Sequence, residues 1–166
     1  MRRPLTLAAA AILLVALCGC SQRSATPGGA ETTAQSPAAT AVPAVSRYDS
    51  GPRAGATPAN EELAEQGGKL FQTKGCSACH TFGKKMSGPD LQGVTVRRTA
   101  LWMENQILHP EVMTKEDPIS KKLLGEMMLQ MPNQGLKPEE ARAVIEFLKH
   151  KDREAGLKPA GGAGTQ

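Results

Sequence analysis

Gly75-Cys76-Ser77-Ala78-Cys79-His80 decides how this chain is read, because it says what the core is built around. The chain has four cysteines, and Cys18 and Cys20 fall in its first twenty residues, which leaves Cys76 and Cys79 for the folded part. Four chemistries could use that pair. A thioredoxin-like redox pair needs a strand-to-helix setting, and nothing around the motif supplies one. Structural zinc needs two further ligands at suitable spacing, and only His109 and His150 remain, isolated in helical contexts with no carboxylate partner apparent. A disulfide accounts for the cysteines but not for the adjoining histidine. Two thiols three positions apart can instead add across the two vinyl groups of a haem, with the next residue placed to offer a ring nitrogen to the iron. Cys76 and Cys79 are then thioether links to one covalently attached haem c, and His80 is its proximal ligand.

That chemistry belongs outside the cytoplasm, and the N-terminus agrees. Residues 1–20 carry Arg2 and Arg3, an apolar run from Leu5 to Leu17, and then small residues, the layout of a secretory signal. The run has 13 residues, too few to span a bilayer, for which about 20 are needed. Leu17-Cys18-Gly19-Cys20 resembles the lipobox of bacterial lipoproteins, although Cys18 departs from the usual second residue. The resemblance implies a lipid on Cys20 and attachment to the periplasmic side of a bacterial membrane; the alternatives are a soluble secreted protein or an uncleaved short anchor. Two acyl chains hold a protein stably where one is marginal.

Residues 21–58 form the next section. Of these 38 residues, 28 are Ala, Pro, Ser, Thr or Gly, with no periodic apolar face, so they cannot bury enough surface to offset chain entropy. They read as a disordered tether with a root-mean-square span of about 35 Å. Residues 152–166, rich in Gly and Ala, read as a disordered tail. The formal charge of +4 over 166 residues is not a nucleic-acid signature. Between 60 and 151 there are 13 basic and 12 acidic residues, and no aromatic residues interleave with a basic stripe.

Residues 59–151 are the domain, and their apolar spacing is helical. Asn60 caps a helix carrying Leu63, Gly67, Leu70 and Phe71. A second helix starts near Thr99 and stops before Pro110, with Leu101, Trp102, Ile107 and Leu108 inside it. Asp117 and Pro118 open a third that holds Ile119, Leu123, Leu124 and Met127. Pro138 opens the last, with Ala141, Val144, Ile145 and Leu148, behind a poor cap in Lys137. Nothing alternates as a strand would, so the fold class is all-α, about four short helices around one haem. With only five Phe, Trp and Tyr in the chain, a cofactor in the core relieves a shortage of large side chains.

The iron's sixth ligand separates a carrier from a gas binder. Met127 and Met128 sit on helical apolar spacing, which is ordinary core filler. Met131 lies beyond that helix and directly before Pro132, which biases it to extended backbone and a loop position. It is the expected ligand, Met128 is the next choice, and His109 a remote one.

From about Glu62 to Lys149 the chain resembles a class I, monohaem cytochrome c of bacterial lipid-anchored type. Gly67 and Phe71 match the family's Gly-x-x-x-Phe pair, one residue further from the first cysteine than in mitochondrial forms. The resemblance implies that Gly67 lets the first helix cross the last closely, against an aromatic matching Phe147. Gly88-Pro89-Asp90-Leu91 resembles the segment whose proline carbonyl accepts the proximal histidine's second proton, which gives Pro89 that role. Met131-Pro132-Asn133 and Leu136-Lys137-Pro138-Glu139-Glu140 resemble the ligand loop and last-helix start of bacterial members. The family often places a tryptophan or similar donor near a haem propionate; Trp102 departs from this by falling at a helix position, which leaves haem contact open and reads first as core. The implied function is single-electron transfer between respiratory redox partner proteins. Lys74, Lys84 and Lys85 lie close to the motif as candidates for a docking ring, against the commoner reading of solvated lysines. The protein is not an enzyme on this reading; the alternative is a gas sensor or small haem enzyme with a labile sixth ligand.

Overall fold

The computed structural model describes residues 45–159. The signal at 1–20 with Cys20, most of the tether, and residues 160–166 of the tail lie outside the described residues. Among the described residues there are six α-helices and no strand, where the sequence leads one to expect four helices. They are α1 (Glu61–Thr73), α2 (Val94–Arg97), α3 (Ala100–Leu108), α4 (Pro110–Glu116), α5 (Pro118–Met127) and α6 (Pro138–Glu154).

The crossing of α1 and α6 is the frame. The Asn60 side chain accepts the Leu63 N–H at 3.0 Å and so caps α1. Gly75 ends the helix in the left-handed region at φ 77°, where a glycine pays no Cβ penalty, and releases the chain into the cysteine motif. On α6 the Glu140 carboxylate accepts the Lys137 backbone N–H at 2.8 Å, so the first turn is tied down from inside the helix despite the poor cap. Between the two helices Gly67 lies against backbone: a Cβ there would sit 1.9 Å from the Ala143 carbonyl oxygen. Phe147 stands one position off the expected contact, over Gly68 rather than Gly67. Its ring packs on Phe71 (centroids 5.3 Å) and on Phe82 (6.0 Å), an aromatic trio that closes one end of the core.

The two unexpected helices have identifiable causes. Pro110 ends α3, but it also occupies the first turn of α4, where its missing N–H costs nothing. One proline both stops a helix and starts the next. The single turn of α2 is held from far along the chain. Asp152, buried on α6, accepts from the backbone N–H of Gly93 (2.5 Å) and Thr95 (2.9 Å) and from the Thr95 hydroxyl (2.6 Å).

Both domain boundaries need correction. Residues 45–58, assigned to the tether by composition, form a strap on the helical domain. The Asp49 carboxylate accepts the Thr99 backbone N–H at 2.8 Å and pairs with Arg53 (3.0 Å) and Arg98 (3.2 Å). The Thr99 hydroxyl donates to the Tyr48 carbonyl at 2.6 Å, the Ala54 N–H to the Arg98 carbonyl at 2.9 Å, and Ala54 is buried. Polar contacts hold this segment, so it needs no apolar periodicity. At the other end Asp152 is buried and α6 runs to Glu154, so the tail cannot begin at 152.

Candidate cofactor site

The motif follows α1 as a short 3₁₀ turn, Cys76–Ala78. The His80 N–H bonds to the Cys76 carbonyl at 3.0 Å, which sets the histidine directly beyond the second cysteine. Both thiols are free and half-buried. Burial pushes the Cys76 thiol up, opposite to the lowered thiol on which disulfide exchange depends. Among the described residues no three His, Cys, Asp or Glu side chains converge as a metal cluster, which leaves the structural-zinc reading without ligands.

Residues 80–91 fold back over the motif. The Gly88 N–H donates to the Cys79 carbonyl at 2.9 Å, and a Cβ on Gly88 would meet the imidazole at 2.6 Å. Backbone is thereby laid against the ring, and His80 Nδ1 lies 3.0 Å from the Pro89 carbonyl oxygen. A carbonyl oxygen only accepts, so Nδ1 carries the proton and Nε2 keeps its lone pair for a metal.

Cys76, His80 and Pro89 line a cavity of about 1060 Å³, including its open mouth. The opposite wall comes from α3, α5 and the loop after α5: Trp102, Met103, Leu123, Met127 and Met131. A smaller hollow of about 490 Å³ shares Cys76, His80, Pro89, Met127 and Met131 with it and adds Cys79. The structure therefore brings Cys76, Cys79, His80, Pro89 and Met131 together. Met128 is on neither wall; it caps α5 at φ 53° and is 86 % exposed. His109 is exposed at the α3–α4 junction. His150 does have carboxylate partners, contrary to the sequence reading, but they are surface ones: Glu61 at 2.7 Å and Glu154 at 3.2 Å. Of the three lysines expected to ring the site, Lys84 and Lys85 are exposed, while Lys74 is half-buried and reaches toward Glu140 at 3.8 Å.

Trp102 is both core and wall. It is buried, lines the cavity, donates from Nε1 to Asp117 Oδ1 at 3.0 Å, and has the Arg98 guanidinium over its ring. Burial pushes the Asp117 carboxyl up, but donors from Ser46, Trp102 and Ser120 outweigh it and hold the group below the ordinary carboxylate value. Sequence reasoning missed Gln106, Ser120 and Arg98 on the same wall. Gln106 was findable: it falls three and four residues after Met103 and Trp102, on the buried face of α3.

Residues 64–152 match the cytochrome c family. The chain belongs to the cytochrome c family. Cytochromes c hold haem c covalently and pass electrons between protein partners, so the cofactor is haem c and the activity haem-based electron transfer. Among solved structures, cytochrome c from Rhodothermus marinus is 36 % identical, with a TM-score of 0.56 over 57 % of this chain and 81 % of that one. An engineered form of that protein, Rma TDE, is 35 % identical at a TM-score of 0.54, with the same coverage. No match was found among curated proteins.

The residues of this cytochrome c fit the haem. On α5, Leu123, Leu124 and Met127 are only half-buried and all three line the cavity, Leu123 also packing against the buried core. An apolar helix face left half-open to a cavity is what a large planar apolar cofactor would cover. Among the described residues no helix is long and apolar enough to cross a membrane.

Proposed function

We propose that this is an exported, lipid-anchored monohaem cytochrome c that carries single electrons between respiratory partners through a His80/Met131-ligated haem. The observation that carries the reading is that His80, with its Nδ1 proton on Pro89, and Met131 stand on the walls of one apolar cavity. Bound there, haem supplies a one-electron change of oxidation state. Everything else falls to the chain. Cys76 and Cys79 fix the cofactor covalently, so it cannot exchange. Pro89 holds the His80 ring in one orientation and raises its basicity. Met131 contributes a soft thioether, which favours the reduced form and fills the position a gas would need. The apolar wall of Leu123, Leu124 and Met127 excludes water.

Cys20 is the lipid attachment site, and residues 21–44 are the leash between it and the strap. The periplasmic face of a bacterial membrane is the location, and redox proteins docking near exposed Lys84 and Lys85 are the partners.

The test is a Met131→Ala variant of the holoprotein. The ferric wild type should show the methionine-to-iron charge-transfer band and the variant should lose it, with fast carbon monoxide binding to its reduced form. A variant that keeps the band eliminates Met131 as ligand; rapid carbon monoxide binding by the intact wild type favours a sensor.

A further inference from the structure

Behind Met131 stands a short polar chain in a largely apolar wall. Gln106 Nε2 on α3 lies 3.9 Å from the Met131 sulfur, and Gln106 Oε1 is 2.6 Å from the Ser120 hydroxyl on α5. Ser120 is 1 % exposed, and its backbone N–H donates to Asp117 Oδ1 at 2.9 Å. The Ser120 hydroxyl has one proton and two acceptors in reach, Gln106 Oε1 at 2.6 Å and Asp117 Oδ1 at 3.2 Å. The shorter contact takes it. An amide that accepts from Ser120 through its oxygen must turn its N–H₂ toward the sulfur. The flipped amide would set a carbonyl oxygen against the sulfur lone pairs, with no proton between them.

We propose that Gln106 is a positioning residue for Met131 and that Ser120 fixes the amide so that its N–H faces the thioether. This rests on Met131 being the iron's ligand, as argued above. A donor on one sulfur lone pair draws electron density from it, so the sulfur gives less to the oxidised metal and the reduced form gains. The same contact restrains a flexible side chain that leaves a loop with few other polar ties. Ser120 and Asp117 belong to the N-terminal turn of α5, so the setting of the amide is built into the helix start rather than left to a mobile side chain.

The experiment uses the holoprotein with Gln106→Leu and Ser120→Ala, with folding checked by circular dichroism. Gln106→Leu should lower the midpoint potential and speed carbon monoxide binding to the reduced form about tenfold, the lower end of what outer-shell partners of metal ligands control. Ser120→Ala should shift both quantities the same way by less, and it keeps the proposal testable if Gln106→Leu does not fold. A folded Gln106→Leu protein whose potential and binding rate equal the wild type's, with only its melting temperature lowered, overturns the proposal. So does a raised potential. Either result, with the ferric methionine band intact in the wild type, leaves the ligand assignment standing. Absence of the band in the wild type overturns both.

Discussion

The α1–α6 crossing and the wall formed by α3, α5 and the Met131 loop are both apolar, and they are completed in different ways. At the crossing, Phe71, Ala141, Ala143, Val144, Ile145 and Leu148 are all 5 % exposed or less, and the Gly67 backbone touches the Ala143 backbone. Between Gly67 and Ala143 the chain supplies both faces, while Phe71, Val144 and Leu148 also line the cavity. Along α5 the one buried residue is Ser120, while Leu123, Leu124 and Met127 stay half-exposed toward the cavity. There the chain supplies one face, and a bound haem would supply the other. The crossing is a folding element; the wall is half of a binding site.

Removing haem attachment should widen that difference most. In a Cys76→Ala/Cys79→Ala protein covalent haem should be absent altogether by mass, and amide exchange should become fast across α5 and residues 129–136. The middle of α1 and α6 should keep measurable protection, since Gly67 and Ala143 meet backbone to backbone and neither lines the cavity. Exchange as slow on α5 as in the holoprotein would mean that the wall packs without a cofactor.

The converse damage is to the crossing. Gly67→Ala puts a methyl into the Ala143 backbone, which cannot swing aside as a side chain can. Overpacking costs roughly 1–3 kcal/mol, and a rigid neighbour puts this case near 3 kcal/mol in urea unfolding of the holoprotein. The haem spectrum should be unchanged wherever the protein remains folded. A loss under about 1 kcal/mol would show that the helices can move apart freely, and would put the frame of the fold elsewhere.

These regions were unequally legible in sequence. Asn60, Thr99 and Asp117–Pro118 announced three helix starts because a cap works within four residues of itself, and all three side chains do accept the expected backbone N–H. Cys76, Cys79 and His80 stood out as candidates for the same reason, the motif lying within five consecutive positions. What escaped depends on partners far along the chain. Asp152 holds α2 from 57 and 59 residues away, and Gln106 meets Ser120 and Met131 only after three elements are packed. Pro110 misled because its rule has two sides, and the spacing of apolar residues cannot say which applies. The strap was hidden by composition: a segment rich in Ala, Pro, Gly and Thr reads as unfolded when burial is the criterion, yet hydrogen bonds hold it.

The strap lies before the residues matched to the family and therefore offers the gentlest way to test the frame against the wall. Asp49 is its anchor: one carboxylate, 9 % exposed, meets the Thr99 N–H, Arg53 and Arg98. Asp49→Ala leaves the Thr99 N–H without its acceptor and two guanidinium groups without their carboxylate. The guanidinium groups keep 27 % exposure, so water recovers part of the loss. A lost charged acceptor costs about 1.5–3 kcal/mol, and that solvent access places the expected loss near the lower figure, smaller than for Gly67→Ala. The effect should also be local. Thr99 caps α3 and Arg98 covers Trp102, so protection should fall at residues 97–102 while the α1–α6 crossing keeps its exchange rates. Asp49→Asn retains an acceptor for Thr99 and should recover part of the stability. If Asp49→Ala unfolded at the wild-type urea concentration and left 97–102 protected, the segment before Asn60 would belong to the leash after all, and the folded unit would begin at α1.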